Sequence, residues 1–318
     1  MGIRCCLIGG SGFIGSSLIP SLLESGREVI VTGRKISNDL MFSNGVNYLF
    51  GDLADEKFLR GLLSKVDEVI YLAHTWMPQQ NQLIKTIEKN ELTINLNNAL
   101  NFFEIASYSN IKKIILISSG GAVYGNVNTP VISEDHSTNP ISSYGILKLT
   151  IEKYAALFFK LKKLPIVIAR PSNVYGINQK PFTGQGFIAT AIASIIKEEE
   201  IYIYGEKGSV RDYIYADDLS DALLLMLSDG SPGEIYNIGT GLGFNNMDIL
   251  NLIKNNSILN KSEFKIKLLP SRNCDVLSNI LDCEKFKKCS GWEPKVNIHE
   301  GLNNVIKNFA STLKVNTY

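Results

Sequence analysis

Residues 3–15 have the sequence IRCCLIGGSGFIG, and this stretch decides the fold. The apolar run Ile3–Ile8 has the length and composition of a buried strand. It leads directly into the glycine pattern GGSGFIG, which a helical pattern follows. In this strand–turn–helix setting, glycines let the backbone approach a pyrophosphate and the helix N-terminus offers it unpaired N–H groups. The stretch therefore predicts a dinucleotide-binding turn, whose cofactor contacts are Gly9, Gly12, Phe13, Ile14 and Gly15.

Downstream of this turn, short apolar runs alternate with helical patterns up to residue 170. Such runs are typical of parallel strands buried on both faces, and the alternation predicts an α/β fold with a doubly wound parallel sheet. The predicted strands are Ile3–Ile8, Glu28–Thr32, Val46–Phe50, Glu68–Leu72, Lys113–Ser118 and Pro165–Arg170. The predicted helices are Phe13–Ser25, Asp55–Ser64, Leu83–Tyr108, Ser142–Leu161 and Phe187–Lys197.

The alternation stops after Arg170, where a segment rich in Gly and Pro spans residues 171–186. We therefore expect a dinucleotide-binding domain at residues 1–170. Residues 171–318 are expected to form a smaller C-terminal substrate-binding lobe, from which strands or helices can return to the first sheet.

The end of the second strand, Thr32-Gly33-Arg34-Lys35, bears on the choice between NADP and NAD. Proteins that bind NAD usually carry an acidic residue here, which binds the ribose 2′-OH. This chain has no carboxylate at that place, and two cations follow Gly33, so a 2′-phosphate would find partners. The pattern favours NADP, bound through Arg34, and NAD stays the alternative because solvated loops also carry such cations.

Tyr144 and Lys148 form a YxxxK motif at the start of a predicted helix. The i, i+4 spacing places both side chains on one face. The pKa of a free tyrosine is about 10, and a neighbouring ammonium together with a cationic nicotinamide is expected to lower it. Tyr144 is thus predicted to exchange a proton with a hydroxyl group during hydride transfer, and Lys148 to hold the nicotinamide ribose.

Eight motifs together resemble the extended short-chain dehydrogenase/reductase family, which contains nucleotide-sugar epimerases, dehydratases and reductases. They follow the family order over nearly the whole chain: GGSGFIG, GDLAD, YLAH, SSGGAVYG, SSYGILK, RPSNVYG, RDYIYADD and YNIGTG. The resemblance implies a Rossmann fold, a nucleoside-diphosphate sugar substrate and a homodimer built on two long helices of each subunit.

The resemblance also implies roles for individual residues. Asp52 and Leu53 are similar to the pair that contacts adenine, and Ala73 to a further cofactor contact. The implied substrate contacts are Asn173, Arg211, Arg272 and Asp275, of which the arginines meet the diphosphate and Asp275 the nucleotide ribose.

The chain departs from the family pattern at Gly120. The family usually has Ser or Thr three residues before Val-Tyr-Gly, where its hydroxyl contacts the reacting group. Here Ser119, one position earlier, is the candidate for that role, with water as the alternative. Gly121 and Ala122 stand where dehydratases of the family carry Asp-Glu, so dehydration is not expected.

Two reactions remain open within this resemblance. The first is NADPH-dependent reduction of a dTDP- or UDP-4-keto-6-deoxy sugar for polysaccharide precursor synthesis, which the Gly33-Arg34 pattern favours. The second is 4-epimerisation of UDP-glucose or UDP-N-acetylglucosamine. A regulatory protein that senses dinucleotides is a third hypothesis, and the intact Tyr144–Lys148 pair argues against it.

Composition restricts the other classes. A chain of 318 residues with a formal net charge of +1 gives no reason to expect nucleic acid or a membrane surface as partner. Its five cysteines lack CxxC spacing, which favours reduced cytoplasmic thiols and argues against a metal site. No apolar stretch is long enough to span a bilayer.

Overall fold

The computed structural model describes residues 2–34, 44–74, 86–259, 263–272 and 275–315. The strands are β1 (Arg4–Ile8), β2 (Glu28–Gly33), β3 (Val46–Phe50), β4 (Glu68–Tyr71), β5 (Lys113–Ile117), β6 (Ile166–Pro171), β7 (Asn173–Tyr175), β8 (Ile201–Tyr204), β9 (Val210–Tyr215), β10 (Ile235–Ile238), β11 (Gly243–Phe244), β12 (Ile266–Leu269) and β13 (Ser278–Asn279). The helices are α1 (Phe13–Glu24), α2 (Glu56–Leu63), α3 (Thr86–Ala106), α4 (Gly120–Val123), α5 (Ser143–Lys162), α6 (Phe187–Ile196), α7 (Ala216–Asp229), α8 (Asn246–Lys254), α9 (Glu284–Ser290) and α10 (Ile298–Val315). Within the described ranges, none of the helices combines the length and apolar character needed to cross a membrane.

The centre of the molecule is a seven-stranded sheet in the order β10-β6-β5-β4-β1-β2-β3. Every neighbouring pair in this sheet is parallel. The chain moves outward from β1 in one direction and from β4 in the other, so the strand order reverses between these two strands. The predicted doubly wound sheet is confirmed, and its switch point fixes where a ligand crevice can form.

Helices cover both faces of this sheet. One hydrophobic cluster joins the strands to α2, α3 and α5, and a second joins them to α1, α7 and α9. Strands β1, β4, β5 and β6 have buried side chains on both faces, as their mostly apolar sequences predict. The expectation of full burial is wrong for β3, because this strand lies at the edge of the sheet and Phe50 is 53% exposed.

A smaller lobe is formed by parts of the chain after residue 170. A third hydrophobic cluster packs α6, α8 and α10 against β8 and β9. Strand β9 pairs with β7, β11 and β13, and β8 pairs with β12. The same part of the chain also returns β10 to the central sheet beside β6. The division into two domains at residue 170 stays a prediction, and the central sheet contains a strand from each side of that boundary.

The predicted helix Leu83–Tyr108 corresponds to α3. Its described part begins at Thr86, and residues 83–85 lie outside the described residues. The short helix α4 has no counterpart among the predicted elements, because its sequence, Gly120–Val123, contains two glycines and lacks a helical hydrophobic pattern.

Candidate active site

A cavity of about 1690 Å³ opens at the carboxyl ends of the central strands. Its wall includes the residues that follow β1, β2, β4 and β5, which is the crevice where doubly wound sheets bind ligands. Cavities for one drug-sized ligand have about 300–1,000 Å³, so this one has room for a dinucleotide and a second ligand. It brings together every predicted site residue: Gly9, Gly12, Phe13, Ile14, Gly15, Arg34, Asp52, Leu53, Ala73, Ser119, Tyr144, Lys148, Asn173, Arg211, Arg272 and Asp275.

The turn after β1 fits a dinucleotide pyrophosphate. Gly9 has a φ of +79°, and a Cβ atom there would lie 2.7 Å from the Cα of Ala73, so the turn requires glycine. Gly12 caps α1 without any side-chain hydrogen bond, and the first turn of α1 contains no acidic residue. The first N–H groups of α1 therefore face the cavity without a competing side chain, as an anion requires.

The end of β2 forms another part of the cavity wall. Thr32 is buried, and among the described residues its hydroxyl has no hydrogen-bond partner. Arg34 is exposed and borders the cavity, whereas Lys35 lies outside the described residues. Across from them, the Asp52 carboxylate accepts a hydrogen bond from the Ala54 N–H at 3.0 Å. This region offers a buried hydroxyl, one cation and one carboxylate to a ligand.

Tyr144 and Lys148 lie on the first turns of α5, where the Ser142 side chain accepts a hydrogen bond from the Gly145 N–H at 3.1 Å. The Lys148 Nζ lies 5.8 Å from the centre of the Tyr144 ring and donates to the Ile117 carbonyl at 3.0 Å. Burial raises the pKa of Tyr144 to about 12, while a hydrogen bond with Ser119 lowers it. For the protein's own groups, desolvation therefore outweighs the hydrogen bond with Ser119. The expected lowering also depends on a cationic nicotinamide, so it stays a prediction for the protein with cofactor bound.

The substrate candidates Arg272 and Asp275 bind each other. Arg272 donates from Nε and Nη2 to the two carboxylate oxygens of Asp275, at 2.8 and 2.9 Å. Its guanidinium also stacks on the Tyr204 ring at 3.8 Å. Its remaining nitrogen, Nη1, is buried and has no hydrogen-bond partner in the described part of the chain. The stacked, paired guanidinium thus keeps one donor available to a ligand.

Arg211 and Asn173 complete the polar wall. Arg211 donates from Nη1 to the Val210 carbonyl at 2.8 Å, and burial lowers its pKa. Because Asn173 starts β7 and Arg211 lies on β9, the β7–β9 pairing fixes both at one side of the cavity. A ligand that carries phosphate oxygens would offset the desolvation of Arg211.

Known proteins resemble this chain in sequence and in fold. The profile of the NAD dependent epimerase/dehydratase family matches residues 5–239. This chain belongs to that family. The dTDP-4-dehydro-6-deoxyglucose reductase of Escherichia coli is 32% identical to this family member over 311 residues, covering 95% of this chain and 96% of that protein.

Two solved structures of the family share the whole fold. The UDP-glucose 4-epimerase of Thermotoga maritima with UDP-glucose is 34% identical, with a TM-score of 0.88, covering 98% of this chain and 100% of that one. The UDP-glucose 4-epimerase of Thermus thermophilus in complex with NAD is 27% identical, with a TM-score of 0.87, covering 97% and 99%.

The departure from the family pattern at Gly120 has a physical reason. A Cβ atom on Gly120 would lie 2.5 Å from Leu281 Cδ1 and 2.9 Å from the Arg170 carbonyl oxygen. A side chain at this position would therefore meet the protein core. Ser119, which precedes α4, hydrogen-bonds Tyr144 and borders the cavity. The structure thus places the Ser119 hydroxyl beside the tyrosine.

Several cavity residues escaped the sequence interpretation. Asn95 and Asn98 border the cavity from α3, and their i, i+3 spacing on one helix face was the available signal. The His74 ring packs edge-on against Tyr144, with ring centres 5.1 Å apart. Tyr204 lies in the predicted strand Ile201–Gly205, which we expect from the sequence to line the pocket of the nucleotide base. Its contact with Arg272 could not be predicted, because it joins distant parts of the sequence.

Proposed function

We propose that this chain transfers a hydride at C4 of a nucleoside-diphosphate hexose. The observation that supports this most directly is one cavity in which Ser119, Tyr144 and Lys148 are joined with Arg211 and Arg272. The first three residues can handle a hydroxyl proton, and the two arginines can bind a diphosphate. A cavity that also contains a pyrophosphate-binding turn can place both ligands side by side.

Each of these residues has a separate role in the proposed reaction. Tyr144 exchanges the proton of the sugar hydroxyl at C4, and Ser119 holds that hydroxyl at the tyrosine. Lys148 holds the ribose of the nicotinamide nucleotide and contributes positive charge beside the phenol. A bound nicotinamide ring supplies the site that accepts and returns a hydride. Gly9, Gly12, Phe13, Ile14, Gly15, Asp52, Leu53 and Ala73 are the proposed cofactor contacts.

Between the two candidate reactions, we favour 4-epimerisation of a UDP-hexose. In this reaction the C4 hydroxyl loses a proton to Tyr144 and C4 loses a hydride, and both return after the 4-keto sugar has presented its other face. The likeness to the UDP-glucose 4-epimerases of T. maritima and T. thermophilus supports this choice. No net oxidation or reduction results.

Reduction of a 4-keto-6-deoxy sugar is the second candidate. It is supported by the E. coli reductase relative and by Arg34 at the end of β2, because net reduction in biosynthesis usually draws on NADPH. In this reaction C4 accepts a hydride and Tyr144 protonates the new alkoxide. The product would be an activated sugar for polysaccharide synthesis.

The cofactor proposed on the protein's own residues is NADP, with NAD as the alternative. Arg34 directly follows β2. Proteins that bind NAD usually have a carboxylate near this place, which binds the ribose 2′-OH, and this chain has Gly33 there. The T. thermophilus relative contains NAD, so the two lines of support differ.

A homodimer through α3 and α5 is part of the proposal. Four large apolar side chains on α5 are 38–66% exposed: Ile146, Tyr154, Leu157 and Leu161. With 3.6 residues per turn they fall within an arc of about 80°. Such a stripe of apolar side chains on a water-soluble helix is typical of a protein interface.

The reaction is tested by following absorbance of the reduced nicotinamide. The purified protein is mixed with NADPH or NADH and a panel of 4-keto-6-deoxy UDP- and dTDP-hexoses. It is mixed separately with NAD⁺ or NADP⁺ and ordinary UDP- and dTDP-hexoses, because C4 of an ordinary hexose can lose a hydride only to an oxidised cofactor. Interconversion of UDP-glucose and UDP-galactose without net change of absorbance would support epimerisation. Stoichiometric loss of NADPH with a 4-keto sugar would establish reduction. Tyr144→Phe is the matched control, since it should abolish either reaction while cofactor still binds, and no turnover of any nucleotide sugar by the wild type would overturn the proposal.

A further inference from the structure

A buried ion pair lies one helical turn below Lys148. Tyr144, Lys148 and Glu152 follow each other at i, i+4 and i+8 on α5, so they share one face. Arg170, on β6, donates to both carboxylate oxygens of Glu152, from Nε at 3.0 Å and from Nη2 at 2.6 Å. Both side chains are about 2% exposed, so the pair is withdrawn from water.

Further hydrogen bonds are made by the Glu152 carboxylate and the Arg170 guanidinium. The Ser118 hydroxyl donates to Glu152, and Arg170 donates from Nη1 to the Tyr124 hydroxyl at 2.8 Å. Tyr124 in turn donates to the Asn237 side-chain oxygen at 2.7 Å, on β10. The network therefore connects α5 with β6, β10 and the residue that follows β5, and it holds the turn of α5 next to Lys148 against the sheet.

Stability alone is a weak explanation for such a pair. Removing two charges from water costs free energy that offsets much of their electrostatic attraction, and apolar side chains of similar size often stabilise a core equally well. A charged pair at this place therefore points to a role for the charge itself.

The charge of Glu152 acts on Lys148, which is also buried. The Lys148 ammonium donates to the Ile117 carbonyl and lies 5.8 Å from the centre of the Tyr144 ring. Glu152 lies one helical turn further along the same face of α5, and Arg170 on β6 binds its carboxylate. The ion pair thus places the negative charge of Glu152 one turn from Lys148.

We propose that Glu152, held by Arg170, is a positioning residue that keeps Lys148 charged and directed at the cofactor ribose and Tyr144. The inference deepens the proposed function and rests on it, because it assumes that Lys148 acts in hydride transfer. Burial lowers the pKa of Lys148 to about 8, and the Glu152 carboxylate opposes that shift by raising it. Without this carboxylate the buried ammonium would lose its proton at a lower pH.

The test replaces the charge and keeps the shape. In Glu152→Gln, loss of one opposing charge should lower the pKa of Lys148 by about one unit or more. The charged lysine is the active form and disappears as pH rises through its pKa, so the basic limb of kcat/KM should move to lower pH. With a shift of one unit, kcat/KM should fall by about fivefold at pH 8 and hardly change at pH 6. A second measurement does not depend on turnover. The lysine ε-carbons are isotopically labelled, and the pKa of Lys148 is measured by NMR titration, with Lys148→Arg used to assign its signal.

Two further variants separate charge from folding. Glu152→Asp keeps the carboxylate and should keep the wild-type pKa of Lys148. The double variant Glu152→Gln/Arg170→Met removes both buried charges, so it should recover thermal stability relative to Glu152→Gln. Because it also removes a cation that would repel Lys148, the titration is judged on the two single variants. The proposal is overturned if Lys148 titrates in Glu152→Gln as in the wild type, or if Glu152→Asp shows the same shifted titration as Glu152→Gln. Absence of turnover in the wild type would instead refute the proposed function and leave the NMR comparison decisive.

Discussion

In our proposal, the choice between NADP and NAD depends on Arg34. It borders the cavity at the end of β2, beside Gly33 and the buried hydroxyl of Thr32. A charge-assisted hydrogen bond to a 2′-phosphate contributes about 1.5–3 kcal/mol. Arg34→Ala should therefore weaken NADPH binding by about tenfold or more, and NADH binding much less. Fluorescence titration of both cofactors measures the ratio.

Arg60→Ala is the matched control for this change, because Arg60 is exposed on α2 and pairs with Glu56 outside the cavity wall. It should leave both affinities unchanged. Equal losses for NADPH and NADH in Arg34→Ala would show that this cation does not recognise the 2′-phosphate.

At the scale of elements, the short helix α4 depends on a glycine that packs against the core. Replacing glycine by alanine within a helix normally stabilises it by about 0.5–1 kcal/mol. At Gly120 the new Cβ would meet Leu281 Cδ1 at 2.5 Å and the Arg170 carbonyl oxygen at 2.9 Å. We expect Gly120→Ala to destabilise the protein instead, by about 1–3 kcal/mol, because overpacking outweighs propensity.

Chemical denaturation measures this change, with Gly121→Ala as the control in the same helix. There the new Cβ would lie 3.0 Å from the Asn173 side-chain oxygen, which can rotate away, so stability should hardly change. If Gly120→Ala is as stable as the wild type, residue 120 does not face the core.

The elements themselves were largely predictable. The central strands up to residue 170 were predicted to within one or two residues, because buried parallel strands leave short apolar runs between turns. The position of β10 in the sheet was not predictable, because a run of four residues such as Ile235–Ile238 does not show which strand it pairs with. The Glu152–Arg170 pair was missed for a related reason, since a helix residue and a strand residue meet only after the sheet is assembled.

The candidate site shows the same limit. Glycine and YxxxK motifs identified the turn after β1 and the pair on α5, because each is local in sequence. The stacking of Arg272 on Tyr204 and the core-facing direction of Gly120 depend on contacts between distant segments. The motifs identified these residues but did not predict which of them contact each other.

For the whole molecule, the exposed stripe on α5 predicts association. Leu157 and Leu161 are 45% and 66% exposed, so a charged side chain at either position should leave the stability of the subunit nearly unchanged. Leu157→Glu/Leu161→Glu should convert a dimer to a monomer, because burying two carboxylates in an apolar interface is costly. Sedimentation velocity at working concentration distinguishes the two states. Leu242→Glu, at a 61% exposed position outside α5, should remain dimeric, and a monomeric wild type would contradict the interface.

The return of β10 to the central sheet has a consequence for synthesis of the chain on the ribosome. All residues of β6, Ile166–Pro171, are buried in the folded protein, and β10 at residues 235–238 is the strand that covers its outer side. Until that segment has left the exit tunnel, the nascent β6 presents unpaired N–H and C=O groups along an apolar edge. Such an edge is a template for pairing with other chains. Translation therefore includes an interval in which the part of the sheet formed by residues 1–170 depends on a strand that has not yet been made.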